Sequence, residues 1–151
     1  MGGQGAALSD FIRLGGPLRG QALHRLAVSC LAALSRLHAH GTAGVRLSPE
    51  SVALGARGQV LIGWQTGYEG AQAEDVRAWA DLVVFAATGV KDGDPAVLPP
   101  VLRIAVDRCR QPDPADRPEA VDVLRVLLNR SVAAAVASVD GLLSGAYRRV
   151  G

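Results

Sequence analysis

Apolar residues recur at steps of three and four along most of this chain, and the exceptions mark where its architecture changes. "LSDFIRL" (8–14) reads as a short helix with Ser9 as its N-cap, broken by "GGP" at 15–17. From about 19 to 40, Leu23, Leu26, Cys30, Leu34 and Leu37 form one stripe, and Gly41 follows as a helix stop. Residues 43–63 lose that period. "VAL" and "QVLI", separated by "GARG", predict a β-hairpin over about 52–62. "AEDVRAWADLVVFAATG" (73–89) is apolar nearly all round in its second half, which predicts a deeply buried helix. "LPPVLRIAVDRCRQ" (98–111) predicts a third long helix with prolines at its tolerant start. "EAVDVLRVLLNR" (119–130) predicts a fourth, with Val121, Leu124, Leu127 and Leu128 facing inward. The end predicts another, capped by Ser131 and striped by Val132, Val136, Val139 and Leu143. The expected class is mainly α: one domain over 1–130 with a small hairpin, and an additional C-terminal helix within 131–151 that packs on it or extends it.

Composition narrows the functions. The 151 residues are 49% hydrophobic with a formal net charge of +2, enough for a real core and far from a disordered composition. Charges of both signs are scattered, so no nucleic-acid footprint appears. Cys30 and Cys109 are the only cysteines. They fall on apolar stripes and read as small core residues, which argues against a disulfide scaffold and suits a reducing cytosol. His38 and His40 are two apart on a helix and point to different faces, so they do not read as a metal pair; His38 is expected to pack or to bond the loop below it. Arg148 and Arg149 read as a solvated helix end. No leader and no apolar run of membrane-spanning length is read. The basic charge is almost all arginine, with Lys91 the sole lysine, as a GC-rich genome would give.

The order of the pieces resembles the C-terminal lobe of a bacterial, actinobacterial-type serine/threonine protein kinase over roughly residues 8 to 130. "LSRLHAHG" resembles the kinase helix that ends Leu-His before a glycine. "VRLSPESVAL" resembles the catalytic loop, and "GQVLIGWQTG" the strand running into the Asp-Phe-Gly triplet. "EDVRAWADLVVFAATG" resembles the central helix, and "CRQPDPADRP" the late turn whose arginine pins the activation segment. The resemblance implies a kinase C-lobe-like fold.

The departures from that pattern are chemical. Gly44, Val45 and Arg46 stand where the resemblance places His, Arg and the catalytic Asp. Ser48 replaces the phosphate-steadying lysine and Ser51 the magnesium-holding asparagine. Gly63, Trp64 and Gln65 replace Asp, Phe and Gly. Phosphoryl transfer needs carboxylates for magnesium and an Asp to orient the hydroxyl nucleophile. No glycine-rich loop precedes the first helix, and Lys91 comes too late to contact ATP, so the nucleotide-binding lobe is expected to be missing from this chain. The loop from Trp64 to Asp75 is short for an activation segment, and that from Gly89 to Leu98 is short for a substrate-docking helix.

The resemblance gives the remaining residues structural roles. Asp75, at the position that opens the central helix, is expected to accept backbone hydrogen bonds from the degenerate loop, favoured by its place near a helix N-terminus. Pro49 is expected to fix the turn. Arg117 is expected to pair with Glu69 or Glu74. Leu54, Leu61 and Trp64 lie on the face a kinase would cover with its other lobe, so they are candidate interface residues; Trp64 reads either as core or as an anchor for a partner. The leading functional expectation is a catalytically inactive, pseudokinase-like module, cytoplasmic or the cytosolic part of a longer membrane protein. It would use no cofactor and no metal, and would act through a protein partner or self-association as a homodimer. Two alternatives stand beside it: a C-lobe completed in trans by a separate ATP-binding lobe, and a plain helical scaffold, favoured if residues 52–62 prove helical.

Overall fold

A computed structural model describes residues 6–45, 47–55, 60–62 and 71–128. The expected C-terminal helix and the domain boundary at 130/131 fall outside these residues. The described chain is mainly helical, and the irregular interval between its first long helix and its central one contains strands, as the change of period predicts.

Strand β1 (Ala6–Ala7) pairs antiparallel with β2 (Val52–Leu54), which pairs antiparallel with β3 (Val60–Ile62), in the order β1-β2-β3. β2 and β3 are the expected hairpin, so the plain-scaffold alternative loses the condition that would have favoured it. Helix α1 (Leu8–Gly15) starts directly from β1. Its N-cap is therefore Ala7, not Ser9. Ser9 lies one residue inside, and its backbone N–H donates to the Pro49 carbonyl at 3.0 Å. α1 buries Leu8 and Ile12 and exposes Phe11 and Leu14.

Helix α2 (Gly20–Ala39) buries Leu23, Leu26, Cys30 and Leu34, with Leu37 half-buried at its end. Gly41, at φ 82°, and Thr42 turn back on the last turn, their N–H groups donating to His38 and Leu37 carbonyls at 3.0 and 2.8 Å. That left-handed position suits glycine because it has no Cβ.

Helix α3 (Gln72–Thr88) is the axis of the core. Val76, Trp79, Ala80, Leu82, Val83, Val84 and Ala86 are buried, and α2 and α4 (Pro100–Cys109) pack on it. The Trp79 indole N–H donates to the Ala27 carbonyl on α2 at 3.0 Å, so the largest core side chain also satisfies its one polar atom. Gly89, at φ 79°, closes α3 by donating to the Phe85 carbonyl. Two short 3₁₀ turns, Pro95–Val97 and Pro114–Asp116, are each capped by the preceding aspartate, Asp94 and Asp113, which accept from Ala96 and Ala115 amides at 2.9 and 3.0 Å.

The last described helix, α5, covers 120–128. Its inward face differs from the sequence expectation. Ala120, Val123 and Leu127 are buried and Leu124 packs at the core's edge, while Val121 and Leu128 are exposed. The buried set keeps an i, i+3, i+7 spacing. Val123 rather than Val121 shares the inward side with Ala120 and Leu127.

Candidate interaction site

Between α2 and β2 the chain has no regular hydrogen bonding of its own, so its backbone groups need other partners. Asp75, in the first turn of α3 and only 2% exposed, supplies them. Its Oδ2 accepts from the Gly44 amide at 3.0 Å and its Oδ1 from the Val45 amide at 2.9 Å. His38 Nε2 lies 2.8 Å from the same Oδ2. A carboxylate there can only accept, so Nε2 carries the hydrogen, while Nδ1 is buried and meets no hydrogen-bond partner among the described residues. His38 thus bonds the tether itself rather than the loop. Gly44 can follow this path because it takes φ 76°. Val45 and Leu47 turn into the core.

The turn beyond is closed by two serines. The Ser48 amide donates to Ser51 Oγ at 2.9 Å, and the Ser51 amide donates to Ser48 Oγ at 3.2 Å. Ser51 Oγ in turn donates to the Ser48 carbonyl at 3.2 Å. Pro49 sits inside this turn, its carbonyl held by Ser9 of α1. Arg46, Gly63, Trp64 and Gln65 fall outside the described residues.

Arg117 meets no carboxylate among the described residues. Its guanidinium donates to the carbonyls of Gln111 at 2.8 Å, Ala73 at 3.1 Å and Pro112 at 3.3 Å. Glu74 is not its partner, and Glu69 falls outside the described residues. The Gln111 and Pro112 carbonyls belong to an irregular turn without helical partners, and Arg117 satisfies them while reaching Ala73 at the start of α3. Ala73 and Asp75 belong to the same turn of α3, so the late turn and the degenerate loop are both anchored there.

Above the loop, α1, α2 and the strand pair enclose an apolar groove of about 270 Å³ lined by Phe11, Leu18, Arg25, Leu26, Leu54 and Val60. Leu54 is half-buried on its wall and Phe11 is 41% exposed at its rim. The backbone of Leu61 pairs with Ala53 in the hairpin; its side chain, like Trp64, falls outside the described residues. Cys30 and Cys109 lie elsewhere, in the core, and burial pushes each thiol up to about 12, Arg117 drawing the second slightly down. Neither is therefore a reactive thiolate near neutral pH. Among the described residues no cluster of metal-ligating side chains occurs, and no helix is long and apolar enough to cross a membrane.

A helical domain on one buried central helix, with a short hairpin and a loop tied to that helix by an aspartate, has the fold of a protein-kinase C-lobe. Among solved structures that match is the crystal structure of the kinase Rad53, residues 1–466, in complex with AMP-PNP, with a TM-score of 0.67 and 18% identity. The match covers 82% of this chain and 43% of that one, so this chain spans less than half the length of that structure. The likeness at this identity is one of fold. No family model matches the chain, and no curated protein matches it.

Proposed function

We propose that this chain is a kinase-like module without phosphoryl-transfer chemistry that works by binding protein, either a partner or a second copy, across the groove between α1, α2 and the strand pair. The observation that carries this reading is the Ser48–Ser51 turn. At the two positions that the kinase resemblance gives to phosphate and magnesium, both hydroxyls are engaged in closing the backbone. A magnesium nucleotide wants carboxylate oxygens and a cationic side chain. Gly44, Val45, Ser48 and Ser51, at the positions that the resemblance gives to catalysis, phosphate and magnesium, offer neither, so these four do not fit that group. The loop that remains is held by Asp75 through its backbone, a bond pattern that needs no particular loop side chain. That supports a role in architecture rather than catalysis. The exposed ring of Phe11 over an apolar groove supports binding, because burying such surface contributes about 25 cal/mol per Å².

Two measurements test this reading. Calorimetry with magnesium-ATP should show no heat of binding; micromolar affinity, or phosphate transfer abolished by Ser51→Ala, would overturn the inactive reading. Light scattering over a concentration series, with a hydrophobic dye added, should show either self-association weakened by Phe11→Glu or a monomer that binds dye less after that change. A monomer that is dye-silent leaves the binding reading without support.

A further inference from the structure

Two exposed features share one side of the molecule. The first is the groove between α1, α2 and the strand pair. Arg25 in its lining is exposed and pairs with no acid among the described residues, and Arg19, just before α2, pairs with none either. Asp10, the one acid on α1 and α2, is already engaged by Arg13. The second feature is the loop 90–97, "VKDGDPAV", which leads from α3 through the first 3₁₀ turn. Val90 and Val97 at its ends are 58% and 61% exposed, high for aliphatic side chains. Asp92 and Asp94 lie between them with Lys91, two acids to one base, and none of the three forms an ion pair with a described residue. Gly89, where the loop begins, lies against Ile12 and Pro17, and the amide of Leu18, which lines the groove, donates to the Ala86 carbonyl at 2.7 Å. Loop and groove are therefore neighbours.

The loop is held in place by its own bonds. The Val90 amide donates to the Thr88 hydroxyl at 3.1 Å, the Gly93 amide to the Val90 carbonyl at 3.1 Å, and the Ala96 amide to the Asp94 carboxylate at 2.9 Å. Gly93 lies so close to Thr88 that a Cβ there would collide with the threonine side chain. Leu98 then enters the core and anchors the far end. A loop fixed in this way has little conformational freedom left to lose when it is bound.

We propose that the groove takes the 90–97 loop of a second copy of this chain, in a two-fold dimer; this rests on the reading of the groove as a protein-binding surface. Val90 and Val97 cover apolar wall beside Phe11 and Leu54, and Asp92 and Asp94 face Arg25 and Arg19. Because loop and groove are neighbours, each copy gives its loop and receives the other's, a self-complementary pairing that closes at two subunits. Charge disfavours the alternative of groove against groove, which brings unpaired arginines of both copies together with no free acid between them. The exposed ion pairs contribute little affinity and fix the register, while burial of the aliphatic side chains supplies the attraction.

Sedimentation of the full chain over a concentration series tests the assignment. The expected result is a monomer–dimer equilibrium with no larger species. Arg25→Glu and Asp92→Arg, both surface changes outside the core, should each weaken dimerisation about tenfold or more while circular dichroism stays unchanged. An equal mixture of the two variants should restore it, because every contact in the mixed dimer then joins opposite charges. Val90→Glu should weaken it as well, through the apolar contact rather than the ion pairs. A chain that stays monomeric throughout the series overturns the proposal. If that monomer still binds a hydrophobic dye in a Phe11-dependent way, the groove remains a binding surface for a partner of another kind; if it is dye-silent, both readings fall. Species growing beyond the dimer overturn the two-fold arrangement. Self-association that neither charge variant weakens, or losses that mixing does not restore, overturn the pairing of loop with groove.

Discussion

Replacing Asp75 by alanine removes the acceptor of three donors at once: the Gly44 and Val45 amides at 3.0 and 2.9 Å and His38 Nε2 at 2.8 Å. All lie where water does not replace the lost oxygen easily, since Asp75 is 2% exposed and Gly44 and Val45 are buried. Hydrogen bonds to a charged acceptor contribute about 1.5–3 kcal/mol each, and desolvation of the carboxylate offsets part of the sum. Breaking such a buried cluster costs about 3–5 kcal/mol, which is a large share of a typical stability of about 5–15 kcal/mol. Asp75→Ala should therefore lose about 3–5 kcal/mol in urea melts followed by circular dichroism. Asp75→Asn, which keeps one oxygen but sets an amide NH₂ against a backbone N–H, should lose about half as much. Asp81→Ala is the control, because its pair with Arg110 at 2.9 Å is partly exposed; it should lose less than about 1 kcal/mol. Arg46→Ala, in the same loop, should also stay below about 1 kcal/mol. If Asp75→Ala loses no more than Asp81→Ala, or if Gly44 and Val45 amides stay protected from exchange in Asp75→Ala, the tether is not what holds the loop.

Other outcomes follow from the same structure. Cys30 and Cys109 thiols titrate at about 12 when folded, against 9.0 as the ordinary value. A raised value means that their contribution to stability is complete below about pH 9 and is lost as pH rises toward 12; a melt series from pH 8 to 11 should decline accordingly, and iodoacetamide at pH 8 should label neither thiol in the folded chain. Trp79→Phe should lose about 2–4 kcal/mol, from the void and from the hydrogen bond to the Ala27 carbonyl; a loss below 1 kcal/mol would contradict the packing around α3. Arg117→Lys keeps the charge but not the three-carbonyl reach, and should lose about 1–2 kcal/mol in the same melts, with no loss if charge alone matters.

What the sequence revealed and what it concealed divide on physical grounds. Helix α3 was legible because a fully buried helix needs apolar residues on every side, and "LVVFAATG" has them. The hairpin was legible because its period differs from that of the flanking helices. Asp75 drew attention through the order of neighbouring segments, but nothing marked His38 as its third donor, since that contact spans 37 positions and depends on where α2 ends. β1 is two alanines, which carry no strand signal of their own; only pairing with β2 makes them a strand. The Ser48–Ser51 closure was hidden behind a substitution that looks like simple loss. The inward face of α5 was not legible because apolar residues lie on both sides of that helix, and only packing selects Ala120, Val123 and Leu127 over Val121 and Leu128.

The 3.0 Å bond from the Ser9 amide to the Pro49 carbonyl has a consequence for mapping any partner. It joins the turn to α1, whose Phe11 forms the rim of the groove, while Leu54 on the wall follows from the same turn three residues after Ser51. Asp75 holds Gly44 and Val45, the serine pair closes the turn, and Ser9 ties that turn to α1, so these bonds should govern the spacing of Phe11 and Leu54. An alanine scan scored by binding should return two sets of positions. One set touches the partner. The other lies beneath the surface along these bonds and changes affinity by altering the spacing of Phe11 and Leu54. The two can be separated by their stability: variants along these bonds lose binding and melting temperature together, and contact variants lose binding alone.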